Sequence, residues 1–299
     1  MTSLYSESEI AAKFNRPVVP FLETRTNTVD GLRVRYADVG KGDAVLLIHG
    51  FPETLQGWRA VAADLGRDFR VLAPDMPGVG GSDRPDIDYK PQELALFLCK
   101  FLDSLGVKKA HVVGADTGLP VAVTLAGEHA EHVDRLVLAA GTIYSKDISS
   151  WEISLMTTRV LGELIVYNPF AGSVVKKALR KGFSNPDLAS QEIYEEYAGS
   201  VLGTNGRRAS LRMMRSLNRE EAFLDACLKK IRGPVLVVYA DKDCYFPPAA
   251  GAHLETAIGR TELKIIPNCG HFLQEEKPAE FTGIIRDFLK PQPAKGDKP

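Results

Sequence analysis

Short apolar runs rich in β-branched residues, each closed by Gly, Pro or Asp, recur from residue 29 onward and alternate with stretches of helical period. They predict strands over 32–39 ("LRVRYADV"), 44–50, 70–75, 110–115, 135–141, 234–240 and 262–267. The later runs are apolar at consecutive positions, the pattern of parallel strands covered on both faces by helices. Between them, residues 91–106 carry Leu94, Phe97, Leu98, Phe101, Leu102 and Leu105 at i, i+3, i+4 spacing and stop at Gly106, which predicts an amphipathic helix. From 142 to about 218 the strand rhythm ceases, and helical pieces such as 151–167 and 190–203 take its place until strands resume at 234. The pattern predicts an α/β fold: a mostly parallel twisted sheet with helices on both faces, built from 1–141 and 219–290. Residues 142–218 form a helical lid over the carboxyl edge of the sheet, where open α/β sheets place their sites. The tail 291–299 ("PQPAKGDKP") has nothing to bury and is expected to be disordered.

Composition removes several classes of function. Lys and Arg number 37 against 38 Asp and Glu, a net charge of −1, so no electrostatic footprint for nucleic acid exists. The start "MTSLYSESEIAAKF" has no basic segment followed by an apolar one, and no apolar run approaches the ~20 residues that span a bilayer. A cytoplasmic location and no membrane partner are expected. Cys99, Cys227, Cys244 and Cys269 show no C-x-x-C pairing, which fits reduced thiols better than disulfides or zinc. The glycines of "PGVGGSD" miss the dinucleotide fingerprint, because counting from Gly78 and Gly80 the last position is Asp83. No cofactor and no metal are expected; the partner is a small-molecule substrate, with the chain a monomer or a homodimer.

Five segments that follow predicted strands carry candidate chemistry: "IHGFPET" (48–54), "DMPGVGGSDRP" (75–85), "GADTG" (114–118), and the pair "YADKDCYFP" (239–247) and "NCGHFLQEEKP" (268–278). Asp116 taken alone could be a helix N-cap, a reading that loses ground once the other segments are set beside it. A carboxylate is already ionised at neutral pH and needs no base to become a nucleophile. Its attack on an ester would give a less stable anhydride, whereas attack on saturated carbon gives a stable ester. An aspartate at that turn therefore points to alkylation: epoxide opening or halide displacement. Release of the ester needs an activated water, and His271 is suited to be its base, with Asp243 holding the ring.

On these segments the chain resembles the α/β-hydrolase fold superfamily over nearly all of 25–290 apart from the lid, and within it the aspartate-nucleophile branch of epoxide hydrolases and haloalkane dehalogenases. The order nucleophile, acid, histidine matches Asp116, Asp243, His271. Asp241 competes for the acid role; the run from Asp243 to Pro247 fits the superfamily's spacing. The resemblance implies an oxyanion hole from the backbone N–H groups of Phe51 and Thr117. It also implies that dehalogenases carry a tryptophan after the nucleophile, where this chain has Thr117, so the reading tilts toward an epoxide hydrolase that forms its ester on Asp116. Carbon–halogen hydrolysis by the same triad is the alternative, and a catalytically inactive ligand-binding protein on the same fold is a third. An epoxide hydrolase needs a proton donor from the lid. Tyr167 lies where the first is expected; Met213 and Met214 stand where the second would be, so either Tyr144 or Tyr197 substitutes or one donor is enough.

Overall fold

A computed structural model describes residues 4–216 and 220–290. Eight strands form one sheet: β1 (Arg25–Val29), β2 (Leu32–Gly40), β3 (Ala44–Ile48), β4 (Arg70–Pro74), β5 (Ala110–Ala115), β6 (Val133–Ala139), β7 (Val235–Ala240) and β8 (Thr261–Ile266). Their order across the sheet is β1-β2-β4-β3-β5-β6-β7-β8. Only β2 runs against its neighbours β1 and β4; all later pairings are parallel. From β3 the chain moves outward to β4 and then returns to the other side as β5, so the order reverses between β3 and β5. A crevice opens at the carboxyl ends of strands on either side of such a reversal.

β3, β5 and β7 are buried at every position, which is why their sequences read as unbroken apolar runs. Two buried clusters flank the sheet, one around Phe101, Leu119 and Tyr239, the other around Trp58, Val113 and Phe281. The predicted helix over 91–106 is present as Pro91–Ser104.

Three departures from the sequence expectation have local causes. β1 is an added edge strand whose polar sequence "RTNTV" carries no apolar run. β8 is not apolar on both faces: it forms the opposite edge, and only Ile266 is buried. The single helix expected over 151–167 is two, Trp151–Thr157 and Arg159–Tyr167, broken where Thr158 turns extended and its hydroxyl donates to the Leu155 carbonyl at 2.8 Å.

Between β6 and β7 the described residues form no sheet strand; they include the helices Trp151–Thr157, Arg159–Tyr167, Ala171–Gly182, Gln191–Leu202, Gly206–Ser216 and Glu221–Lys230. Glu196, on Gln191–Leu202, ties this segment to the sheet side by accepting from the Arg35 guanidinium at 2.6 Å and the Thr54 hydroxyl at 2.8 Å. The expected disordered tail at 291–299 lies outside the described residues.

Candidate active site

The turn after β5 puts Asp116 in the left-handed region, φ 50°, which costs a non-glycine residue about 1–2 kcal/mol. Crowding explains the small residues around it. A Cβ on Gly50 would collide with the Asp116 side chain, and one on Gly118 would come within 2.5 Å of the Ile48 carbonyl oxygen. Because β3 pairs with β5 through Ile48 and Gly114, the loops leaving these strands lie side by side.

That adjacency builds a two-donor hole. The Phe51 amide donates to Asp116 Oδ1 at 2.9 Å, and the Thr117 amide donates to the same oxygen. The other oxygen, Oδ2, faces His271, whose Nε2 lies 3.4 Å away. His271 Nδ1 lies 3.0 Å from Asp243 Oδ2, and Asp243 Oδ1 accepts from the amides of Tyr245 at 2.8 Å and Phe246 at 3.0 Å. The structure thus brings Asp116, Thr117, Phe51, Asp243 and His271 together. Asp241 sits elsewhere: it accepts from the Cys269 amide at 3.1 Å, joining the loops after β7 and β8.

His271 is buried and caged by the rings of Tyr245, Phe246 and Phe272. Its own amide donates to the Gly182 carbonyl at 2.7 Å, so the helix Ala171–Gly182 ends on the histidine loop. Burial presses the imidazole toward its neutral form, yet the Asp243 and Asp116 carboxylates outweigh it and hold His271 well above its ordinary range.

His49 braces the hole from behind. Its Nε2 accepts from the Met76 amide at 3.0 Å, so the proton is on Nδ1, which donates to the Gly50 carbonyl at 2.8 Å. Desolvation lowers its pKa and keeps it neutral.

Glu53 and Gln274 are part of this site, and sequence reasoning missed them. Glu53 is buried, its Oε2 accepts from the Gly50 amide at 2.9 Å, and its Oε1 meets the Gln274 amide. Burial, with repulsion from Asp116, pushes its carboxyl up to about 7. The signal was available: Glu53 stands two residues after Phe51 in a segment already singled out for its backbone.

The three tyrosines considered as proton donors are not brought to Asp116. Tyr167 is 56% exposed, with Arg207 over its ring. Tyr144 donates to Asp225 Oδ1 at 3.0 Å. Tyr197 is fully buried and donates to Glu275 Oε1 at 3.2 Å; burial and the neighbouring Glu275 raise its pKa well above the ordinary value. Met213 instead reaches the turn after β5, where with Met76, Tyr89 and Thr117 it lines a cavity of about 20 Å³, room for one water. Among the described residues no cluster of side chains could hold a metal ion.

Comparison with known proteins agrees with this architecture. The model of the alpha/beta hydrolase family matches residues 45–283. The chain is 29% identical to 2-hydroxymuconate semialdehyde hydrolase of Pseudomonas sp. (strain CF600), covering 87% of this chain and 91% of that protein. It is 28% identical to epoxide hydrolase 3 of Xenopus tropicalis, covering 87% and 75%. Among solved structures, Cfl2 from Burkholderia cenocepacia superposes with a TM-score of 0.83 at 29% identity, over 92% of this chain and 98% of that one.

Proposed function

We propose that this chain, which belongs to the alpha/beta hydrolase family, opens epoxides to vicinal diols through an alkyl ester on Asp116. The observation that carries the reading is the division of labour within one carboxylate: Oδ1 takes both backbone donors while Oδ2 stays clear of them, facing His271. The helices from Trp151 to Ser216 serve as the lid that shapes the substrate space.

Oδ2 attacks a ring carbon, the carbon–oxygen bond breaks, and the alkoxide so formed needs one proton. His271 begins protonated between two carboxylates. Alkylation erases the charge of Asp116, so the imidazole releases its proton, which reaches the alkoxide through a water. The neutral imidazole is then ready as base. It takes a proton from a second water, whose oxygen adds to the ester carbon, and the negative charge develops on Oδ1 inside the existing hole. Collapse expels the diol with the former Oδ2, His271 returns the proton to it, and the new carboxylic acid recharges His271. Asp243 stabilises the imidazolium throughout.

A single turnover in ¹⁸O-water tests this. The first diol should be unlabelled and one ¹⁸O should appear in the peptide containing Asp116; label in the first diol with none in the protein would refute the ester.

Carbon–halogen cleavage by the same three residues is the second reading. The tyrosine placements favour it, because a halide leaves without needing a proton. Release of halide from haloalkanes while epoxides stay untouched would select it over the first.

A further inference from the structure

Among the described residues eleven large apolar side chains are exposed, and seven fall within residues 151–174: Trp151, Val160, Leu161, Leu164, Tyr167, Phe170 and Val174. Their arrangement is regular. On the helix Arg159–Tyr167, Gly162 and Val166 face inward while Val160, Leu164 and Tyr167, spaced i, i+4, i+7, form an outward stripe. Phe170, Val174 and the exposed Lys177 repeat that spacing along the next helix, Ala171–Gly182. The helices Trp151–Thr157, Arg159–Tyr167 and Ala171–Gly182 pack in succession, with Gly206–Ser216 against the first two. Aromatic rings stand near the ends of the face, Trp151 67% and Phe170 72% exposed. Apolar patches of this kind on soluble proteins mark a contact surface.

Charge identifies the partner. These four helices carry nine Arg and Lys against two Glu, in a chain whose net charge is −1. Some bases are paired, Arg180 with Asp187 and Arg212 with Asp86 from outside the four helices, Lys181 with Glu152 and Arg215 with Glu163 within them. Arg159, Lys177 and Arg208 are exposed and stand in none of these pairs. A second copy meeting the patch through a two-fold axis would set like charge against like. An anionic lipid surface satisfies both components, since apolar and aromatic side chains enter the acyl boundary while the bases meet headgroups.

We propose that this face of the inserted helices docks reversibly on membranes containing anionic lipid. The test is sedimentation of the full chain with phosphatidylcholine vesicles, with and without phosphatidylglycerol, alongside its mass in solution by light scattering. Binding to the phosphatidylglycerol vesicles should exceed binding to phosphatidylcholine by about tenfold and weaken with added salt. The triple variant Val160→Ser, Leu164→Ser, Tyr167→Ser should lose it; the surface variant Lys177→Glu, Arg208→Glu, whose side chains are exposed, should lose the preference for the anionic vesicles. Failure of the unmodified chain to sediment with either vesicle, or equal binding to both, overturns the proposal. So does a dimer in solution that the triple variant abolishes, which would make a second copy the occupant.

Discussion

The amide of Phe51 points at the Asp116 carboxylate, 2.9 Å from Oδ1, because the strands that deliver the two residues are hydrogen-bonded neighbours. Gly50 makes that approach possible. Gly50→Ala would drive its Cβ into the Asp116 side chain and displace both. Turnover should fall by about 10²–10³-fold, the loss seen when one oxyanion donor is removed. Steady-state kinetics with a circular dichroism check on folding measures it; near-normal turnover would mean the hole is not used.

His271→Gln should separate the two chemical steps. The ester should form more slowly, since the alkoxide must take its proton from water once the imidazolium is gone, and then persist, visible by intact mass as a stoichiometric adduct that maps to Asp116. A variant that clears its adduct at the normal rate would remove His271 from the base role.

Asp243→Asn takes away the charge that holds the His271 proton most strongly. Release of the ester should slow by roughly 10²–10⁴-fold. The same loss lowers the imidazole pKa, so the acidic limb of the pH profile of ester release, the step that needs neutral His271, should move to lower pH. An unmoved limb would show that another group controls it.

Glu53 makes stability depend on pH. With its carboxyl raised from 4.5 to about 7, the folded state binds the proton more tightly than the unfolded chain. Its contribution is therefore fully present below pH 4.5 and is lost as pH rises through 7, a change of about 3 kcal/mol. Glu53→Gln lacks that titration. Its melting temperature relative to the unmodified chain should be higher at pH 8.5 than at pH 5.5, whatever constant cost the amide adds. Equal differences at the two pH values would place the Glu53 titration elsewhere.

Tyr197→Phe distinguishes support from proton donation. The hydroxyl is engaged with Glu275, which also receives Arg59 Nη1 at 2.6 and 2.7 Å. Removing it should destabilise the fold by about 1–3 kcal/mol while the rate of ester formation in a rapid-mixing experiment stays within a few-fold. A hundredfold slower ester formation would restore Tyr197 as a donor.

Strand ends and the turns beyond them were legible because their signals are local. A buried parallel strand needs an unbroken apolar run, and the tight turn after β5 excludes large neighbours, so Gly114, Asp116 and Gly118 stand out in a line of text. The polar edge strand β1 left no such mark. In the insertion, Tyr144 lies on the loop after β6 while Tyr167 and Tyr197 sit on helices, and their partners Asp225, Arg207 and Glu275 are set by packing that no short-range period encodes.

The sequence by itself determined the alternation of strands and helices, the order Asp116, Asp243, His271 in the chain, and the absence of an apolar segment long enough to span a bilayer. Only the tertiary structure decided which oxygen of Asp116 meets the backbone donors, that Glu53 is buried against the Gly50 amide, and that Tyr144 and Tyr197 spend their protons on Asp225 and Glu275. It also assembled an exposed apolar face from successive helices, which a search for one continuous apolar run could not see. The division has one cause: backbone conformation follows from neighbours in the chain, whereas the direction of a side chain and the charge it meets follow from residues distant in the sequence, as Asp116 and Phe51, Tyr144 and Asp225, and Tyr197 and Glu275 show.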